Sequence, residues 1–181
     1  MIIKQKEFTI KGLACTIRSA QPDDAAYLSK IRVQIDGETE NMDREAGEAF
    51  ITPSEFEQLI KHDSADPKNL FLVALVDHKI AGFSRCEGNH LKRLAHKAEF
   101  GVCVLKKYWG LHLGPHLLQE SIAWAETIHL KKITLNVLET NEKAINVYKR
   151  FGFEVEGILR NDNYLSDGCY YSTLVMGRLN V

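Results

Sequence analysis

The stretch AEFGVCVLKKYWGLHLGPHLL, Ala98 to Leu118, decides the fold. Its opening run, Phe100 to Leu105, has the apolar, partly β-branched content and the length of a buried strand. Leu113, Leu117, Leu118, Ile122, Ala125 and Ile128 then recur at spacings of three and four, one face of an amphipathic helix. Between strand and helix lies the short turn Trp109-Gly110-Leu111-His112-Leu113-Gly114, followed by Pro115. Proline is favoured in a first helical turn, where its missing N–H would have had no partner. A strand running through a glycine-containing turn into a helix N-terminus collects outward-pointing amides and a positive dipole end, the makings of an anion site. Such a connection also occurs with no ligand at all.

Working outward, ITLNVLETNEKAINVYKRFGF, Ile133 to Phe153, repeats the strand-to-helix pattern. Ile133 to Leu138 reads as a strand and Asn141 as an N-cap. Asn141, Ala144, Ile145 and Tyr148 share one helix face, and Gly152 stops the helix before a strand begins at Phe153.

Together these two segments resemble the Gcn5-related N-acetyltransferases. Members of that family bind acetyl-CoA at a turn of pattern (Q/R)xxGx(G/A) after their fourth strand, and often continue with Asn-x-x-Ala-x-x-x-Tyr and a Gly-Phe pair. Asn141, Ala144, Tyr148 and Gly152-Phe153 match the second pattern. In the turn Gly114 matches the second glycine, while Trp109 stands for Gln or Arg and His112 for the first glycine. The likeness runs weakly from about Ala14 to Leu179.

The resemblance implies an α/β (α+β) fold: a single domain over residues 1–181, with a mixed, splayed sheet and helices on both faces. The strands after Glu99 and after Lys132 should part, and the pantetheine arm of acetyl-CoA should lie in the gap. The cofactor-binding set it implies is Val102, Val104, Trp109, Gly110, Leu111, His112, Leu113, Gly114, Asn141, Ala144 and Tyr148. Glu99 becomes the candidate base that takes the ammonium proton, needed because a primary amine has a pKa near 10. Its alternative reading is a solvated strand carboxylate or a partner of Arg85 or Lys97. Tyr148 becomes the candidate acid that protonates the departing thiolate; otherwise it is a core tyrosine with a bonded hydroxyl. A strand N–H near Val102 would serve the oxyanion. The acidic run from Asp36 to Glu48 falls where the family builds its acceptor site, although charge runs are more often solvated faces. Ser172 stands where the branch acting on ribosomal-protein N-termini commonly has Asp.

Composition agrees with one globular unit: 181 residues, 45% hydrophobic and 26% charged. A net charge of −1 with no basic cluster argues against nucleic acid, and no apolar run approaches membrane-spanning length. The four cysteines are scattered, with no metal-ligand spacing, so no metal is expected and buried free thiols in a cytoplasmic compartment are.

In chain order the pattern reads β-α-α-β-β-β-α-β-α-β-β. The first strand is Leu13 to Ala20, helices begin at Pro22 and at Thr52, and a hairpin spans Leu70 to Val76 and Lys79 to Glu87. Ala95 to Leu105 and Ile133 to Leu138 follow as strands. The chain closes with a strand from Phe153 to about Leu159, a polar loop from Arg160 to Gly168, and a strand from Tyr170 to Arg178. Two functional readings follow: an N-acetyltransferase with acetyl-CoA as cosubstrate and a small-molecule amine or peptide as acceptor, or a non-catalytic acyl-CoA-binding sensor or scaffold. A homodimer is compatible with either.

Overall fold

The computed structural model describes residues 2–180. Lys6–Ile10 (β1) and Leu13–Ser19 (β2) form a hairpin whose turn, Lys11 and Gly12, has φ of 51° and 80°. Two successive positive φ angles suit the right-handed twist of a hairpin. β1 is an addition to the expected strands, because five residues at a sheet edge carry little periodic signal. Phe8 stacks on His116 with ring centroids 4.1 Å apart, and Lys6 pairs with Glu120 at 2.7 Å, so β1 is fastened across to the third helix.

A 3-10 turn at Pro22–Asp24 leads into α1 (Ala25–Glu38). α2 (Pro53–Ala65) starts with reciprocal capping: the Glu55 N–H donates to Thr52 Oγ1 at 3.3 Å, and the Thr52 N–H donates to Glu55 Oε2 at 2.7 Å. Next come β3 (Leu70–Val76), β4 (Lys79–Gly88), β5 (Lys97–Val104), α3 (Leu113–Thr127), β6 (Lys132–Leu138), α4 (Glu142–Arg150), β7 (Glu154–Tyr164) and β8 (Tyr170–Leu179). The strands form one sheet in the order β1-β2-β3-β4-β5-β6-β8-β7. Every neighbouring pair is antiparallel except β5 with β6. That exception is the crossover through α3, as the apolar spacing from Leu113 to Ile128 requires.

β3 shows why both faces are covered. Leu70, Leu72, Ala74 and Val76 belong to the core shared with α3 and α4, while Phe71 and Val73 belong to the core shared with α1 and α2. Alternating side chains of one apolar strand thus feed two cores. Leu117 of α3 is fully buried, and trimming such a leucine to alanine costs about 2–5 kcal/mol.

The closing hairpin corrects one expectation. β7 continues to Tyr164, through most of the stretch read as a polar loop. As the edge strand it buries almost nothing, so polar residues there carry no alternation to mark it. Its pairing with β8 shifts register between Leu159 and Asn163 and then resumes, with Asn163 Nδ2 donating to Thr173 Oγ1 at 2.8 Å.

Candidate active site

The pairing of β5 with β6 covers only Lys97–Lys132, Ala98–Ile133 and Glu99–Thr134. Beyond Glu99 the two strands part, while β6 stays with β8 as far as Leu138. The Leu105 N–H donates to the Ala81 carbonyl on the β4 side at 2.9 Å. Backbone groups alternate edges along a strand, so those of Val104 and Val102 face the opening.

At the end of that opening lies the turn. Gly110 has φ 83°, and His112, the N-cap of α3, sits in the left-handed region at φ 51°, ψ 22°. The position usually held by glycine therefore keeps the glycine-like conformation with a side chain on it, at a cost of about 1–2 kcal/mol. Leu111 is buried and pins the turn to the core. Trp109 is 47% exposed, yet its indole N–H donates inward to the Val104 carbonyl at 2.9 Å. Among the described residues the amides of Gly110, His112, Leu113 and Gly114 have no acceptor, and Pro115 has no N–H to offer. A Cβ placed on Gly114 would meet no atom within 4 Å. Four unpaired donors at a helix N-terminus beside open space form a cradle for an anion.

On the far side of the opening Asn141 caps α4, its Oδ1 accepting from the Ala144 N–H at 3.3 Å. Ala144 and Tyr148 are half-buried against the core of the α3–α4 face, and the Tyr148 ring lies 5.9 Å from that of Phe153. Burial pushes the Tyr148 phenol up to about 12. No group among the described residues bonds its hydroxyl, so the expected alternative of a bonded core tyrosine is not what is found.

Glu99 is exposed, on the face that carries α1 and α2. Its alternative partner Arg85 is otherwise engaged. The Arg85 Nε and Nη2 donate to the fully buried Asp63 at 2.6 and 3.0 Å, and Nη1 donates to Glu87 at 2.7 Å. Gly101, directly across from Arg85, has open space where a Cβ would stand. Glu99 and Tyr148 thus stand on opposite faces of the sheet.

The acidic run is largely knit into the fold. Asp36 is buried in α1 against Arg32 (2.9 Å), and burial pushes its carboxyl up. Glu38 accepts the Lys106 N–H at 2.6 Å and Glu40 the Ser166 N–H at 2.9 Å. The hydrogen bond from Arg44 holds the Asp43 carboxyl down. A small cavity of about 90 Å³ separates this run from Asn136, Leu138, Asn163 and Thr173. The larger cleft, about 580 Å³, lies by the β3–β4 turn among Arg18, Tyr27, His78 and Lys79 and holds none of the candidate groups. His90 faces Asp66 at 2.7 Å. The Ser172 N–H bonds Glu139 Oε1 at 2.5 Å. Among the described residues no set of three His, Cys, Asp or Glu side chains could hold a metal, and no helix is long and apolar enough to cross a membrane.

The Asp63–Arg85–Glu87 array and the Trp109 bond were missed from sequence. Arg85 and Glu87, two apart on a strand, do signal a shared face, but nothing linear ties them to Asp63.

The sequence profile of the acetyltransferase (GNAT) family matches residues 38–153. An L-amino acid N-acetyltransferase of Escherichia coli (strain K12) is 33% identical over 110 residues, 58% of this chain and 67% of that protein. A spermidine N(1)-acetyltransferase of the same organism is 30% identical over 71% of this chain and 67% of its own. A GNAT-family acetyltransferase structure from Streptococcus pneumoniae superimposes with a TM-score of 0.88 at 29% identity, covering 92% of this chain and 99% of that one. The yncA protein of Salmonella typhimurium, solved with its cofactor acetyl-CoA, has the same fold at a TM-score of 0.80 and 17% identity, covering 91% of this chain and 93% of its own.

Proposed function

This chain belongs to the acetyltransferase (GNAT) family, and from that premise we propose that it moves the acetyl group of acetyl-CoA to a primary amine by direct attack in a ternary complex. The observation that carries this reading is the parting of β5 from β6 just past Glu99, with unpaired turn amides at its end and Tyr148 on its far side. The diphosphate of the donor rests on the amides of Gly110, His112, Leu113 and Gly114. Its pantetheine arm lies along the Val102–Val104 edge, with Ala144 and Asn141 opposite.

The acceptor enters from the α1–α2 face, where Glu99 takes one proton from its ammonium, directly or through water. The free amine then attacks the thioester carbonyl, whose oxygen is met by the Val102 N–H. As the C–S bond breaks, the thiolate takes the Tyr148 proton, and the new N–H⁺ returns one to the phenolate. Net, one proton leaves to solvent for each acetamide and CoA thiol formed. The acceptor class is a small amine, in keeping with amino-acid and spermidine acetylation by the two relatives.

The test is thiol release from acetyl-CoA against a panel of amines, polyamines, amino acids and peptides. Amine-dependent release supports the enzyme. Acetyl-CoA binding without release for any acceptor would instead make the chain an acyl-CoA sensor.

A further inference from the structure

Trp109 is a large aromatic residue, about half exposed, that spends its one polar atom inward. The indole N–H reaches back five residues to the Val104 carbonyl at 2.9 Å and closes a ring from the last residue of β5 to the first of the turn. Hydrophobic burial is a poor account of a side chain so open to solvent. The residues it encloses are held on the strand side, the Leu105 N–H by the Ala81 carbonyl at 2.9 Å and the Lys106 N–H by Glu38 at 2.6 Å, whereas past Trp109 the turn reaches back through the Leu111 N–H, 3.3 Å from the Tyr108 carbonyl. Immediately after them His112 is held in a left-handed conformation unfavourable to any residue with a Cβ. A chain free to relax would leave that conformation and scatter the four unpaired amides.

We infer that Trp109 is a positioning residue for the donor: its bond to Val104 holds the turn in the shape that converges the Gly110, His112, Leu113 and Gly114 amides on a diphosphate. The ligand class is a thioester or thiol joined to a nucleotide through a diphosphate. The inference rests on the proposed acetyl-CoA reading. The strand edge is held separately by the pairing of β5 with β4, so the bond acts on the turn and not on the edge.

The experiment compares Trp109→Phe, which keeps a ring and deletes the N–H, with the unaltered chain. Calorimetry should give CoA a dissociation constant about tenfold weaker, the size of one lost hydrogen bond. In kinetics KM for acetyl-CoA should rise while kcat holds. KM for S-acetylpantetheine, which has no diphosphate, should not move. In a His112→Gly background, where the left-handed turn is unstrained, the loss should shrink to about threefold or less.

A residue with a merely structural role would lower the melting temperature and affect both donors alike. Equal CoA affinity in Trp109→Phe and the unaltered chain, or equal losses for both donors, would overturn the inference. An unaltered chain with no CoA affinity would overturn the acetyl-CoA reading itself, a result plainly different from equal binding by both proteins.

Discussion

Glu87 of β4 and Glu99 of β5 stand directly across from each other in the antiparallel pair, both exposed on the face that carries α1 and α2. Like charges in that relation destabilise a sheet by about 0.2–1 kcal/mol. Arg85 offsets part of this by holding Glu87 at 2.7 Å, and leaves Glu99 without an ion-pair partner among the described residues. Glu99→Gln should raise the melting temperature by up to about 4 °C for a chain of this size, and Glu87→Gln, which also loses the Arg85 ion pair, by less. Only Glu99→Gln should slow turnover near neutral pH, with recovery at high pH as the amine loses its proton unaided. Full activity in Glu99→Gln would remove it as the base, whatever its stability.

Tyr148→Phe removes one hydroxyl and keeps the packing on Phe153. CoA affinity should stay near that of the unaltered chain while kcat falls by about a hundredfold, the scale of a general-acid contribution. The phenol, pushed up to about 12 by burial, should stay protonated throughout the working range. Its folded pKa lies above the unfolded value, so the stability it confers is intact below pH ~10 and is lost as pH rises towards the folded value. Denaturation curves between those limits should be steeper in pH for the unaltered chain than for Tyr148→Phe. Identical kcat values would return Tyr148 to the core.

Gly114→Val tests the cradle without testing the fold. A Cβ at Gly114 meets nothing within 4 Å, and valine is a better helix former than glycine. The ligand-free protein should melt no lower than the unaltered chain, yet the upward shift produced by millimolar CoA should disappear. A retained shift would place the diphosphate elsewhere.

Cys15, Cys86 and Cys103 are buried and Cys169 is exposed. Burial pushes the Cys86 and Cys103 thiols up to about 12, far from the thiolate form that reacts. A thiol reagent should find one fast cysteine in the folded protein and four in denaturant. More than one fast thiol in the folded state would contradict the packing of these two cores.

Periodicity exposed most of the fold because its elements bury whole faces. The run from Leu70 to Val76 is apolar at every position because it serves two cores, and Asn141 and Thr52 announce helix starts through their own caps. β1 and the second half of β7 escaped for the opposite reason: both are edge elements most of whose residues face solvent. The acidic run was legible only in part. Its carboxylates look free in the sequence, but Asp36, Glu38 and Glu40 are taken by Arg32 and by the amides of Lys106 and Ser166.

By itself the sequence determined the strand–turn–helix around Gly110 to Gly114 and the capped helix carrying Tyr148, because both are local and written in glycine, asparagine and three-or-four spacing. Tertiary structure decided what stands opposite what. The register that sets Glu99 against Glu87, the parting of β5 from β6 after Glu99, and the tie from Asp63 to Arg85 all join residues distant in the chain. Such pairings depend on how whole faces pack, and a linear pattern records only which face each residue prefers.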